Sequence, residues 1–172
     1  CPTVEKAMAL AVVFSEKKEY TEADPLKIQL EKGVHEIVGN PTRNMSVTCG
    51  HITFVGKGKD YTTIRGGFDV RDQQNVKFEA LTIMNPSGTS LYVLGNETNV
   101  KLLKCVVKKC GGAGMFVDVG ATVTATQCEF MENGSYGVFC KGANTKTRLN
   151  DCTMHHNVRD GLEAFDDAVV DL

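Results

Sequence analysis

The residues best equipped for chemistry gather in the second half of the chain. Asp118, Lys141, Glu163, Asp166 and Asp167 supply acids and a base, with Arg159 and Asp160 beside them in sequence. Paired carboxylates are what acid–base hydrolysis of a glycosidic bond requires. A lyase would instead hold Ca2+ with carboxylates and use Arg or Lys as base. These five are therefore the catalytic candidates. Ca2+ enters as a cofactor only under the lyase reading, and no cofactor is expected otherwise. Charged residues at turns are also simply solvated, and that plain account covers the same positions.

Seven cysteines offer disulfides, metal ligation or buried thiols. Their spacing contains no C-x-x-C pair, so no metal site is expected. Reduced thiols favour an intracellular protein. Three Asn-x-Ser/Thr sequons, at Asn44, Asn96 and Asn133, pull toward secretion as the alternative. The 172 residues carry a formal charge of −2, which gives no global reason to expect nucleic acid or an anionic membrane as partner. No apolar run approaches the ~18 residues of a membrane span. The chain starts at Cys1 rather than Met and ends near the apolar run Ala168-Val169-Val170, as a piece of a longer protein would.

The elements that must position these residues announce themselves as a repeat. Segments starting at Val76, Val100, Val123 and Thr147 align, 24, 23 and 24 residues apart. One column reads Leu81, Cys105, Cys128, Cys152, and the next Ile83, Val107, Phe130, Met154. Two further columns read Leu91, Met115, Val138, Leu162 and Val93, Val117, Cys140, Ala164. Apolar residues alternate with polar ones inside each burst, the period of a strand with one buried face. Each repeat holds three such bursts separated by Gly, Asn or Asp.

The pattern predicts an all-β, right-handed parallel β-helix of about six coils of 23–24 residues, with three parallel sheets. Looser matches, Ile28 and Leu30 with Ile52 and Phe54, extend it back to residue 28. Residues 28–172 then form the solenoid and residues 1–27 a capping helix and linker. Thr3 caps that helix, which runs from about Val4 to Phe14 with Val4, Met8 and Ala11 on one side. A solenoid exposes open strand edges at its ends, so a cover is required there. The last coil has no such cover in the sequence, which points to further chain or to end-to-end self-association.

The run IQLEKGVHEIVGN followed by HITFVGKGKDYTTIRGG resembles the opening coils of the pectin lyase-like superfamily. The turns Asn133 to Val138 and Asn157 to Leu162 resemble the generic right-handed β-helix repeats of carbohydrate-binding proteins and sugar hydrolases. The resemblance covers residues 28–172 and implies the fold. It implies no single activity, because the superfamily spans polysaccharide lyases, hydrolases, epimerases, phage tailspikes and non-catalytic adaptor domains. Asp166-Asp167 is similar to the adjacent Asp pair of polygalacturonases. Their Asn-Thr-Asp turn, Gly-His-Gly and Arg-x-Lys are missing, and His155-His156 lies in no Gly-His-Gly context.

Inward side chains hold such a rod together, so function belongs to the outward ones. One outward column reads Asp69, Tyr92, Phe116, Phe139, Glu163, an aromatic ladder that marks Tyr92, Phe116, Phe139 and Glu163 as ligand-binding candidates. Beside it runs Leu94, Asp118, Lys141, Phe165; on another sheet runs the basic column Lys77, Lys101, Thr124, Arg148. The leading reading is a non-catalytic recognition rod that binds a glycan or a protein partner. A lyase or hydrolase acting on acidic polysaccharide is the first alternative, and a structural or self-assembly module the second.

Overall fold

The computed structural model describes residues 3–38 and 42–172. Cys1 lies outside them. Helix α1 spans Val4–Lys17, three residues beyond the expected end, and the Thr3 hydroxyl accepts from the Lys6 amide at 3.3 Å. Val4, Met8 and Ala11 are its buried face. They join Ile28, Leu30 and Ile37 in the core, so the helix covers the first coil. The Val38 amide donates to the Glu5 carboxylate at 2.8 Å and ties helix to coil.

Among the described residues nineteen strands follow. The first coil is β1 (Leu26–Gln29), β2 (Gly33–Glu36) and β3 (Asn44–Val47). The second is β4 (Ile52–Val55), β5 (Thr62–Arg65) and β6 (Gly67–Arg71), and the third β7 (Val76–Glu79), β8 (Thr82–Met84) and β9 (Leu91–Leu94). The fourth is β10 (Asn99–Leu103), β11 (Val106–Lys108) and β12 (Met115–Asp118). The fifth is β13 (Thr122–Thr126), β14 (Glu129–Met131) and β15 (Val138–Lys141). The sixth is β16 (Lys146–Asn150), β17 (Thr153–His155) and β18 (Leu162–Phe165), and β19 (Val169–Asp171) opens the next turn. Each strand pairs in parallel with its counterpart one coil away, giving one seven-stranded and two six-stranded sheets. We call these sheets A, B and C in the order in which each coil visits them.

From Val76 onward the register follows the repeat residue for residue: Val100 lies beside Val76 and Val123, Val107 beside Ile83 and Phe130, Phe116 beside Tyr92 and Phe139. The first coil departs from it. Ile28 pairs with Phe54, and Leu26 with Ile52, so the offset there is two residues longer than the repeat suggests. The extra length sits in the corners. Three residues separate β1 from β2 and seven separate β2 from β3, against two and six in the third to sixth coils.

Corners this tight need left-handed backbone. Ala80, Lys104, Gln127 and Asp151 occupy the same corner of successive coils with φ between 51° and 54°. The residue after each turns inward, which generates the column Leu81, Cys105, Cys128, Cys152. The sharpest corner is Gly66, alone between β5 and β6. At its φ of +139° a Cβ would sit 2.5 Å from the Ile37 Cβ and 2.7 Å from the Arg43 carbonyl oxygen. Only glycine fits.

The inward columns fill the rod. Phe54, Phe68 and Phe78 are fully buried and pack with ring centroids 4.7 to 5.2 Å apart, joining sheets A and C. Each contributes about 1.5–3 kcal/mol by leaving water. Asn133 is also fully buried; its amide donates to the Asn157 oxygen at 2.9 Å and its oxygen accepts from the Cys110 amide at 3.2 Å. Both ends of its side chain are thus spent on holding neighbouring coils at the same turn. Of the three sequons, Asn133 is internal, Asn44 is half-buried and Asn96 is exposed.

Candidate functional site

Alternation along β9, β12, β15 and β18 turns one residue in two away from the core, and parallel register stacks those residues across sheet C. Ser46, Asp69, Tyr92, Phe116, Phe139 and Glu163 form one continuous outer column. The structure therefore brings the ligand-binding candidates together in a line. The Tyr92 and Phe116 rings lie 5.8 Å apart at 58°, and Phe116 and Phe139 lie 5.4 Å apart at 39°. All three are half-buried.

Two residues extend this row that the strand pattern does not flag. Tyr136, in the turn before β15, stacks on Phe139 at 5.0 Å and 15°. Arg159, in the equivalent turn one coil on, lies over the Tyr136 ring at 5.4 Å and donates to its hydroxyl at 3.0 Å. That hydrogen bond to Tyr136 holds the guanidinium firmly in its charged form, raising its pKa. Both come from turns, where period-two alternation says nothing about direction. One coil here is 24 residues, so Tyr136 is in register with Asp160 and Arg159 is one residue short of it; no column of the repeat joins the two.

The row has charged ends. Asp69 pairs with Arg71 at 2.8 Å beside Tyr92, and Thr42, Asn44 and Ser46 complete a shallow cleft of about 270 Å3 there. At the other end Glu163 follows Phe139 in the column, with Arg159 nearby.

The catalytic candidates occupy the next outward column and the turn that follows it. Arg71, Leu94, Asp118 are in line, as are Lys141 and Phe165. Asp118 accepts from the amide of the next residue, Val119, at 2.6 Å, which is a turn-stabilising contact. Lys141 reaches Asp166 at 3.7 Å, with both side chains about half exposed. Asp166 and Asp167 have φ of 50° and 64°. They build the β18–β19 turn at the place where Gly95 and Gly142 serve earlier coils with φ of 104° and 88°. Aspartate tolerates that conformation better than most residues, so the pair has a structural occupation. Glu163 is in the aromatic column, not beside Asp118.

His155, the last residue of β17 on sheet B, and His156, in the turn that follows, lie elsewhere. The His155 Nε2 is 2.7 Å from the Glu129 carboxylate one coil back, and the two imidazoles meet edge to face. Lys59 approaches the other Glu129 oxygen at 3.9 Å. No group of three metal-ligating side chains occurs among the described residues.

The cysteines are inside. Cys105 and Cys128 are buried and Cys152 half-buried, in consecutive coils of one column. Their thiols donate to backbone carbonyls two residues back at 3.3 to 3.4 Å. The Cys105 thiol beside it, with burial, pushes the Cys128 thiol up to about 12. Cys128 and burial raise Cys152 likewise. Cys140 is buried against the Thr147 hydroxyl at 3.1 Å. All six described cysteines are free.

No curated protein and no solved structure matches this chain. A family model does, the one described as the right-handed β-helix region, over residues 37–170. With parallel coils in register from end to end and a family match over most of its length, the chain belongs to the right-handed β-helix family.

Proposed function

We propose that this chain is a non-catalytic recognition rod that binds a protein partner along the outer face of sheet C. The observation that carries this reading is the unbroken aromatic row Tyr92, Phe116, Phe139 and Tyr136, flanked by Arg159. Aromatic residues and Arg are enriched at protein interfaces, and Tyr and Arg are among those that concentrate binding energy there. Contiguous apolar surface of this kind marks an interaction site.

Ring geometry favours protein over sugar. The planes tilt by 58° and 39° against each other, and Tyr136 covers one face of Phe139. The row thus offers ring edges with furrows between them rather than one flat platform. Apolar side chains fit such relief better than the broad face of a pyranose. The charged pairs at both ends suit a polar rim.

The test uses a photo-crosslinking residue at position 92, with a second at Thr153 on sheet B as control. A partner captured from position 92 alone should bind wild type at least thirtyfold more tightly than Phe116→Ala, since truncating a central aromatic costs about 2 kcal/mol. Glycan-array binding that Phe116→Ala abolishes would move the reading to sugar. Equal binding of both forms to every ligand found would end it.

A further inference from the structure

A second face of the rod carries a recessed cleft lined by lysines. On the outside of sheet A, Lys27, Thr53, Lys77, Lys101, Thr124 and Arg148 share one column across six strands. The segment between α1 and β1 crosses this face as a strap. It is folded by a Lys18–Asp24 ion pair at 2.7 Å and by the Asp24 amide donating to the Thr21 hydroxyl at 3.2 Å. The strap delivers the Glu22 carboxylate to the Lys101 ammonium, at 2.5 Å, across 79 residues of sequence.

Strap and sheet enclose a cleft of about 430 Å3, with Glu22 and Pro25 on one wall. Its floor includes Lys27, Thr53, Lys77 and Lys101. Thr53 points outward yet is only 4% exposed, so this floor is recessed. Three ammonium groups face two carboxylates, Glu22 and Glu79. Glu79 holds Lys77 at 2.7 Å from the same strand. Lys27 has no ion-pair partner among the described residues.

The strap is itself an acidic peptide, with Glu19, Glu22 and Asp24 in the seven residues Glu19–Pro25. What occupies the lysine row is thus a carboxylate presented by a peptide chain. A single exposed ion pair of this kind is weak. A ligand with several carboxylates along one peptide gains Lys27, competes with Glu79 for Lys77, and displaces Glu22 from Lys101.

We propose that this cleft binds an acidic peptide segment of a partner, and that Glu22 of the strap occupies the lysine row in its absence. The site is separate from the aromatic row and does not depend on it.

Fluorescence anisotropy of a labelled hexaglutamate peptide, with hexaglutamine as control, reads the proposal on the whole chain at low salt. Wild type should bind hexaglutamate and not hexaglutamine, and binding should fall as salt screens the lysines. Glu22→Gln removes the competing carboxylate while keeping the strap's shape, so affinity should rise about two- to fivefold. The double substitution Lys77→Gln with Lys101→Gln should lower it at least tenfold. Circular dichroism checks that the variants keep the wild-type fold, and Glu22→Gln alone still decides if the double variant does not.

Unchanged or weaker binding by Glu22→Gln would overturn the proposal. So would full binding by the lysine variant, or no binding by wild type and Glu22→Gln alike. A galacturonate hexamer that binds more tightly than the peptide would overturn the peptide assignment and give the cleft to acidic sugars.

Discussion

Cysteine serves in this rod as a small apolar side chain whose sulfur still needs a place for its proton. Cys105, Cys128 and Cys152 occupy one inward column because the left-handed residue before each turns it toward the axis. Each thiol then finds a carbonyl within 3.5 Å. The packing role was legible in the sequence, since the three recur at the coil period. The hydrogen bonds were not, because they depend on corner geometry. With its thiol held up to about 12, Cys128 keeps its proton where a free thiol has lost it. The folded state therefore binds more protons than the unfolded chain above about pH 8.5, and the associated stability is present below that pH and lost as pH rises toward 12. Native protein at pH 8 should react with an aromatic disulfide reagent far more slowly than urea-unfolded protein, and its urea midpoint should fall between pH 8.5 and 10.5. Rapid modification of all thiols in the native state would contradict this account.

Strands repeat throughout, whereas the two corners within each coil keep one length only from the third coil onward, and this divides what the sequence reveals from what it hides. Alternation in β7 to β18 repeats because each strand sees the same core, so columns and register could be read directly. The first two coils differ in corner length, and the offset of two residues between Ile28 and the expected partner arises there. Gly66 compensates. It lets β5 run into β6 through one residue while Ile37 and Arg43 of the first coil press against its backbone. Gly66→Ala should destabilise by more than 1 kcal/mol, because both the φ of +139° and the close contacts exclude a side chain. For a chain of this size that is a fall in Tm of at least about 2–4 °C. A thermal melt of the variant measures it. Gly88→Ala is the matched control, since nothing lies closer than 3.9 Å to its added Cβ, and its Tm should stay near wild type.

The aromatic row was visible in the sequence because it lies on strands, whereas Tyr136, Arg159 and the Glu22 strap, which come from turns and a linker, required three-dimensional placement. The same distinction governs how the molecule holds together. In a solenoid each coil contacts only its neighbours, so stability is close to a sum of local terms. The middle coils are covered on both sides: Phe78, Leu91, Met115, Phe130 and Val138 are at most 1% exposed. At one end α1 lays Val4, Met8 and Ala11 over the first coil. At the other, the inward residues Cys152, Met154, Leu162 and Val170 are only partly buried. Amide hydrogen exchange of the 172-residue chain should therefore show a gradient. Protection should be highest in β7 to β15, intermediate in β1 to β3 beneath the helix, and lowest in β17 to β19. Removing α1 should drop β1 to β3 to the level of β17 to β19 while leaving β10 to β15 close to their original protection, because the lost contacts are one coil deep. If instead every strand exchanged at one rate before and after the deletion, the coils would be opening as a single unit and the neighbour-by-neighbour account of this rod would be wrong.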